Sequence, residues 1–430
     1  MEQNFLHAFD NLEIDGEKIT KPSPIPWYPN SLAWSTNLGR SQLRRHATLG
    51  QMHKFLIAET ESGYLTRQEA VSMLPPLFLD IKESSSILDL CAAPGSKTAQ
   101  MIELMHVDAE KTTTDGIPSG VCIANDKNNQ RCYMLVHQAK RLNSPCCIIT
   151  NHDASMFPGV VTRNSENELI PLKFDRVLCD VPCTGDGTMR KNLDIWKNYK
   201  PNYSAHVHGV QIKILKRGLE LLSVGGRLVY STCSMSPIED EAVIGWVLEQ
   251  CKGAVELIDC SDLLPDLKRR PGVSNWKVHA PDGSWLASHS EVGEQTHLAK
   301  SMFPTENNEH LHLERSMRLV PHDQDTGGFF VAALRKVKSL PWETDGCAAV
   351  QKQNKLDNEE DTPLTRQKDI ERHRGVYKED PFYFYKDAET NPTAQKLVEF
   401  FGFEGLPTDR ILSRSDPEDD TRKARQLYIG

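Results

Sequence analysis

"SILDLCAAPGSKTAQMIELMH", residues 86–106, carries in one stretch the signals that decide the fold. Its first six residues read as a short strand buried on both faces. A turn of small residues with Pro94 and Gly95 follows. "KTAQMIELMH" then spaces its apolar side chains along one face of a helix. Strand, tight turn and helix together open a βαβ unit.

Outward from there the pattern recurs. "GVCIAN" (120–125), "PCCIIT" (145–150), "FDRVLCD" (174–180) and "GRLVYSTC" (226–233) are short, apolar and rich in branched residues, as buried strands are. "NNQRCYMLVHQAKRL" and "HVHGVQIKILKRGLELL" between them have helical spacing. After Cys233, Ser236 fits an N-cap, Pro237 the first helical position and Glu239 a capping-box partner, so a helix is expected to begin there. Alternating strands and helices imply an α/β fold, a parallel sheet covered on both faces, with "TGGFFVAALRKV" (326–337) as a late strand.

The organisation expected is an N-terminal extension (1–50), a main α/β domain (51–337), a linker (338–372) and a small segment (373–430) opening at "EDPFYFY". The extension includes "PSPIPWYPNSLAW", where prolines block regular structure and the aromatics look exposed. Residues 261–310, rich in Pro, Gly, Asn and His, read as a flexible insertion, and 338–372 as a polar linker. No internal repeat is found.

With 39% hydrophobic and 25% charged residues the composition is that of a globular protein. No apolar run reaches the roughly 18 residues of a membrane helix, and no secretory leader is visible, so an intracellular protein without a membrane partner is expected. Its 11 cysteines are irregularly spaced, without the paired C-x-x-C sets of a zinc site, so no metal is expected. The net charge of −9 does not exclude nucleic acid, because the charge is uneven. Arg44 and Arg45 lie in "LGRSQLRRHATLG", and Arg190, Lys191, Lys197 and Lys200 in "MRKNLDIWKNYK". These are candidate phosphate contacts, although a solvated surface would look the same.

The strand ends matter most. Asp89 and Cys91, Asp126, Asp153, Asp180 and Cys233 each close a strand, where open parallel sheets bind ligands. One such Asp would be read as a helix cap; the set points to one site. The loop Cys91, Ala92, Ala93, Pro94, Gly95, Ser96, Lys97 lets backbone amides approach a ligand at a helix N-terminus. Asp126 could accept ribose hydroxyls, which leaves a dinucleotide-dependent oxidoreductase open at this point. Cys183, in the turn "DVPCTGDG", and Cys233 are two thiols on adjacent strand ends in polar loops, which core packing explains poorly.

"LDLCAAPGSKT", "DVPCTGDGTMRKN" and "YSTCSMSPIEDEAVI" resemble the signature motifs of the RNA cytosine-5 methyltransferases of the NOL1/NOP2/Sun-domain family. "PHDQDTGGFFVA", "TNHDAS" and "ANDKNNQRCYMLVHQAKRL" resemble its tRNA-modifying Trm4-type subfamily. The likeness spans residues from about 25 to 340. It implies a Rossmann-like class I methyltransferase with a mostly parallel, seven-stranded sheet. S-adenosyl-L-methionine would be the cofactor, RNA (tRNA within this subfamily) the partner, and the nucleus or nucleolus the location. The C-terminal segment resembles a PUA-like RNA-binding domain and is expected to be partial; a monomer is expected.

Carbon-5 of cytosine is a poor nucleophile, and a thiolate adding at carbon-6 activates it. The resemblance makes Cys233 that nucleophile and Cys183 the helper in its release. Asp180 would hold the base edge and Lys97 help position it. It also lays the cofactor along residues 91–97, with Asp126 on its ribose, Asp153 near its adenine and Asp180 near its methionine end. Rival readings are a non-catalytic RNA-binding scaffold on the same fold, a methyltransferase for proteins or small molecules, and the oxidoreductase. The last two leave both cysteines idle, and the oxidoreductase also lacks its G-x-G-x-x-G.

Overall fold

The computed structural model describes residues 9, 12–14, 17–36, 38 and 47–343, apart from 164–165, 201, 281, 294–297 and 306–307. Beyond these it describes 383–384, 411–413 and 427–429. The chain divides into Met1–Asn354 and Lys355–Gly430.

In the first unit, five apolar runs become parallel strands: β1 Ser86–Asp89, β2 Val121–Asn125, β3 Cys147–Thr150, β4 Phe174–Asp180 and β5 Leu222–Thr232. Two further strands, β6 Met317–Leu319 and β7 Phe329–Lys336, complete the main order 3-2-1-4-5-7-6. Strand β7 runs antiparallel to β5 and to β6. Beside β6, the segment Val255–Leu257 pairs with the same edge of β7, and Arg270–Pro271 pairs with β6, so the sheet counts nine strands rather than seven. Helices α1 Ser96–Thr112 and α2 Asn129–Arg141 follow β1 and β2; α3 Leu193–Asn198 and α4 Tyr203–Leu221 precede β5, and α5 Glu241–Cys251 follows it. Between β3 and β4 lies an antiparallel hairpin, Val160–Arg163 with Leu169–Leu172.

Ile87, Leu88, Val177, Leu178, Leu228 and Val229 are fully buried between the helix layers. Each such side chain is worth about 1.5–3 kcal/mol on burial, so both faces of the central strands hold the fold. Among the described residues no helix is long and apolar enough to cross a membrane.

Four further expectations need correction. The helix expected at Ser236–Pro237 begins instead at Glu241, with Asp240 before it. Residues 236–240 form a turn, and Glu239 is fully buried with its carboxylate directed at other loops. Local capping lost to stronger tertiary donors. The stretch 261–310 is not simply a flexible insertion. Trp276, Val278, Leu298, Met302 and Phe303 join the main core, Trp276 donates to the Met302 carbonyl at 2.9 Å, and His208 Nε2 meets Ser301 Oγ at 2.8 Å. Scattered apolar anchors outweigh the loop-like composition.

In the extension, Ile25, Trp27 and Ala33 are buried with Leu74, Phe78 and Ile87, so these residues pack on the main domain and Trp27 is not exposed. The linker begins later than 338, because Leu340 is buried and Glu343 pairs with Lys173 and Lys336. Residues 344–372 lie outside the described residues. In the second unit Tyr383–Phe384, Ile411–Ser413 and Leu427–Ile429 form one antiparallel sheet. The rest of the segment expected to be PUA-like lies outside the described residues.

Candidate active site at the strand ends

The strand order reverses between β1 and β4, and a cavity of about 200 Å³ opens there at their carboxyl ends. This is the switch point where open α/β sheets bind ligands. Asp89 from β1 and Asp180 from β4 line it, with Cys91, Ala92, Ala93, Pro94, Ser96 and Lys97 of the loop. Gly95 starts α1 at φ 114°, a left-handed conformation that glycine adopts without strain. A Cβ on it would meet Leu135 at 2.9 Å.

Asp89 is fully buried; its Oδ2 accepts from Thr98 at 2.7 Å. Burial pushes its carboxyl up to about 7 against that hydrogen bond, with the Asp180 charge adding to the rise. Its Oδ1 has no hydrogen-bond partner, and neither has the buried Oε1 of Gln68 in the same cavity wall. Buried acceptors left unmatched are costly. Two of them in one wall, beside a helix N-terminus, fit a ligand that brings N–H or O–H donors and a carboxylate. The amino-acid head of S-adenosylmethionine is such a group.

Asp126 is almost fully buried. It accepts from Ala93 N at 3.2 Å and Asn128 N at 2.9 Å, so it shapes the loop from behind. A carboxylate has about four acceptor positions, which leaves room for a sugar hydroxyl. Asp153 caps the turn Ala154–Met156 through Ser155 N at 3.0 Å and pairs with Lys127 at 2.6 Å. The Lys127 contact first, then Ser155, holds its carboxyl down at about 2. Neither Asp126 nor Asp153 lines the cavity.

On the other side of Asp180 lie the two cysteines. Asp180 Oδ2 pairs with Lys97 Nζ at 2.8 Å, and its Oδ1 accepts from Ser231 at 2.7 Å. Lys97 Nζ also lies 5.5 Å from the centre of the Phe329 ring. Cys183 Sγ and Cys233 Sγ are 3.3 Å apart, both partly exposed. The hydrogen bond from Cys183 pulls the Cys233 thiol down, with the Lys97 charge helping against burial and Asp180. The same bond, burial and the Cys233 charge push Cys183 up, and Glu239 adds to that. The pair is thus polarised, with Cys233 the more acidic thiol of the two.

Two glycines let the loops meet. Gly187 N donates to the Cys233 carbonyl at 2.9 Å and Gly328 N to the Gly187 carbonyl at 2.7 Å. A Cβ on Gly187 would sit 2.3 Å from the Gly328 oxygen and 2.7 Å from the Cys233 oxygen. Sequence reasoning assigned Glu239 to capping and gave Gln68, Asp186 and Gly328 no role. Asp186 accepts from Met235 N at 2.8 Å, steadying the Cys233 loop.

Of the candidate phosphate contacts, Arg190 pairs with Asp325 and Lys191 with Glu69, so both cations pin the segment after Cys183 to neighbouring loops. Arg44 and Arg45 lie outside the described residues. Trp196 and Leu193 on α3 stand exposed beside this segment, at 70% and 68%.

An antiparallel seventh strand between the fifth and sixth separates this sheet from the dinucleotide order 3-2-1-4-5-6. With the switch-point cavity this is the arrangement of the Rossmann-like class I methyltransferase fold. Residues 76–335 match the family model described as 16S rRNA methyltransferase RsmB/F, and the chain belongs to that family, which the NOL1/NOP2/Sun motifs had indicated.

The chain is 44% identical to a Drosophila melanogaster tRNA (cytosine(34)-C(5))-methyltransferase, over 96% of this chain and 57% of that one. It is 44% identical to the Saccharomyces cerevisiae multisite-specific tRNA:(cytosine-C(5))-methyltransferase, over 78% and 48%. The chain therefore spans about half the length of these curated relatives. A solved methyltransferase homologue from Pyrococcus horikoshii is 28% identical, covering 74% of this chain and 78% of its own, with a TM-score of 0.47.

Proposed function

We propose that the chain transfers a methyl group from S-adenosylmethionine to carbon-5 of cytosine in RNA, and that the RNA is a tRNA. The observation that carries this reading is the polarised Cys183–Cys233 pair beside the Lys97–Asp180 ion pair. The names of the two curated relatives support the tRNA substrate.

The cavity lined by Asp89, residues of the 91–97 loop and Asp180 would hold the methionine end of the cofactor, and its ribose and adenine would extend beyond the cavity toward Asp126 and Asp153. Bound there, S-adenosylmethionine supplies the electrophilic methyl group. The Cys233 thiolate adds to carbon-6 of the base and makes carbon-5 nucleophilic. Each oxygen of Asp180 already has one donor and keeps one acceptor position for the protonated base edge. Lys97 pairs with Asp180, and its charge favours the ionised form of Cys233. Solvent water then takes the carbon-5 proton, and the C–H electron pair restores the carbon-5–carbon-6 double bond. The carbon-6–sulfur bond breaks and its electron pair returns to Cys233, which the neighbouring Cys183 thiol assists.

A cytosine must leave its stack to reach this site, at a cost of a few kcal/mol. Exposed Trp196, with Lys197 and Lys200 nearby in sequence, offers a stacking and phosphate surface next to the Cys183 loop. Arg190 and Lys191 can serve there only by sharing or leaving their present ion pairs. The test is methyl incorporation into tRNA from labelled cofactor. The wild type should be active, and Cys233→Ala should lose at least about a thousandfold in rate, as removal of a covalent nucleophile does. An active Cys233→Ala variant would end this reading.

A further inference from the structure

Glu239 is fully buried, and five donors converge on its carboxylate. Oε1 accepts from Thr184 Oγ1 at 2.6 Å, Ser204 Oγ at 2.8 Å and Ser234 Oγ at 2.9 Å. Oε2 accepts from Thr184 N at 2.9 Å and Gln211 Nε2 at 3.1 Å. All five are neutral, and no ion pair to Glu239 is found among the described residues. A carboxylate is acceptor-only and matches this set.

Thr184 directly follows Cys183, and Ser234 directly follows Cys233. One carboxylate therefore grips both cysteine loops one residue beyond each sulfur. Gln211 also donates to the Pro182 carbonyl at 3.0 Å, so the Cys183 loop is held on both sides. A helix cap would need none of this.

We propose that Glu239 is a positioning residue for the cysteine pair. Through Thr184 and Ser234 it sets the separation and orientation of the two sulfurs, so that Cys233 is the more reactive of the pair. The inference rests on the methyltransferase reading for its purpose, but not for its geometry.

Other charges face the pair. Lys97, Asp180 and Asp186 act on Cys233, and Glu239 acts on Cys183. Behind Glu239, Asp240 and Glu241 face Arg318, while Tyr199, Tyr230 and His208 feel the Glu239 charge. The Glu239 charge is among those that raise Cys183. Its removal should free the Cys183 proton more than any effect it has on Cys233.

The test is alkylation of the reduced 430-residue chain by iodoacetamide from pH ~6 to ~9, the range that brackets thiol ionisation, with each modified cysteine assigned by peptide mass spectrometry. In the wild type Cys233 should react first and reach its plateau at lower pH than Cys183. In Glu239→Gln the preference for Cys233 should fall by about twofold or more, as the buried hydrogen-bond network that holds both loops is broken. Should that variant not fold, Thr184→Val removes one donor and should lower the preference by about twofold or more. An unchanged preference in either folded variant overturns the proposal. No RNA or methyl donor is needed, so a wild type that labels as expected but does not methylate RNA would sink the functional reading alone.

Discussion

The two halves of the strand-end site are built by different means. Over β1, β2 and β3 the loops are shaped by sequence-local devices: a small-residue turn, a left-handed glycine, and carboxylates behind the cavity that accept from amides a few residues away or one strand over. Over β4 and β5 the cysteines are held by partners far away in the chain. Glu239 lies more than fifty residues from the Thr184 it grips, and Arg318 reaches back to the Met235 carbonyl at 2.9 Å. A binding wall can be shaped by local backbone, whereas a reactive pair must be held against its own electrostatics from several directions.

That contrast can be broken or sharpened by substitution. The largest effect on stability should come from the far-reaching half. Arg318 is the cation for buried Glu241 and Asp240, and Arg318→Leu strands both acids. A loss of about 3–5 kcal/mol is expected in denaturant unfolding. A loss below 1 kcal/mol, small beside that expectation, would show that the acids are held by other means. Next comes Gly187→Ala, where the added Cβ meets two carbonyl oxygens. It should cost about 1–3 kcal/mol in unfolding and slow methyl transfer more than it weakens cofactor binding, since the displaced loop carries Cys233. Equal loss in both would mean that the two halves are not mechanically separate.

The smallest effect should fall in the local half. The folded Asp153 carboxyl, at about 2, is lower than the roughly 3.9 of an unfolded chain, so its contribution is present above pH ~4 and lost as pH falls toward ~2. Its partner Lys127 is largely exposed. Asp153→Asn should therefore cost only a few tenths of a kcal/mol near neutral pH, and the difference from wild type should vanish in acid. A cost above about 1 kcal/mol at neutral pH would place Asp153 in a more demanding role than a cap.

The same contrast explains what could be read in the sequence. The five parallel strands and the placement of Asp89, Asp180, Cys183 and Cys233 at their ends were legible, because buried strands announce themselves as short branched runs. The cavity loop was legible for the same local reason. Glu239 was not, because S-x-x-E is a sound capping signal and nothing nearby in sequence shows Thr184, Ser204 and Gln211 converging on it. Trp27 looked exposed among prolines until its partners Leu74 and Phe78 were in place. The packing of 261–310 was hidden similarly: Trp276, Val278 and Phe303 are spaced with no period, and only tertiary contact unites them. Arg190 and Lys191 looked free for phosphate because Asp325 and Glu69 lie far off in the chain.

The order of action of the two cysteines is the central claim, and one trapping measurement bears on it directly. Cys183→Ala is incubated with tRNA and S-adenosylmethionine, denatured, and analysed for a protein–RNA adduct whose attachment site is mapped by mass spectrometry. The account predicts a stable adduct on Cys233 in Cys183→Ala and none in Cys233→Ala. An adduct that accumulates in Cys233→Ala and maps to Cys183 would contradict it.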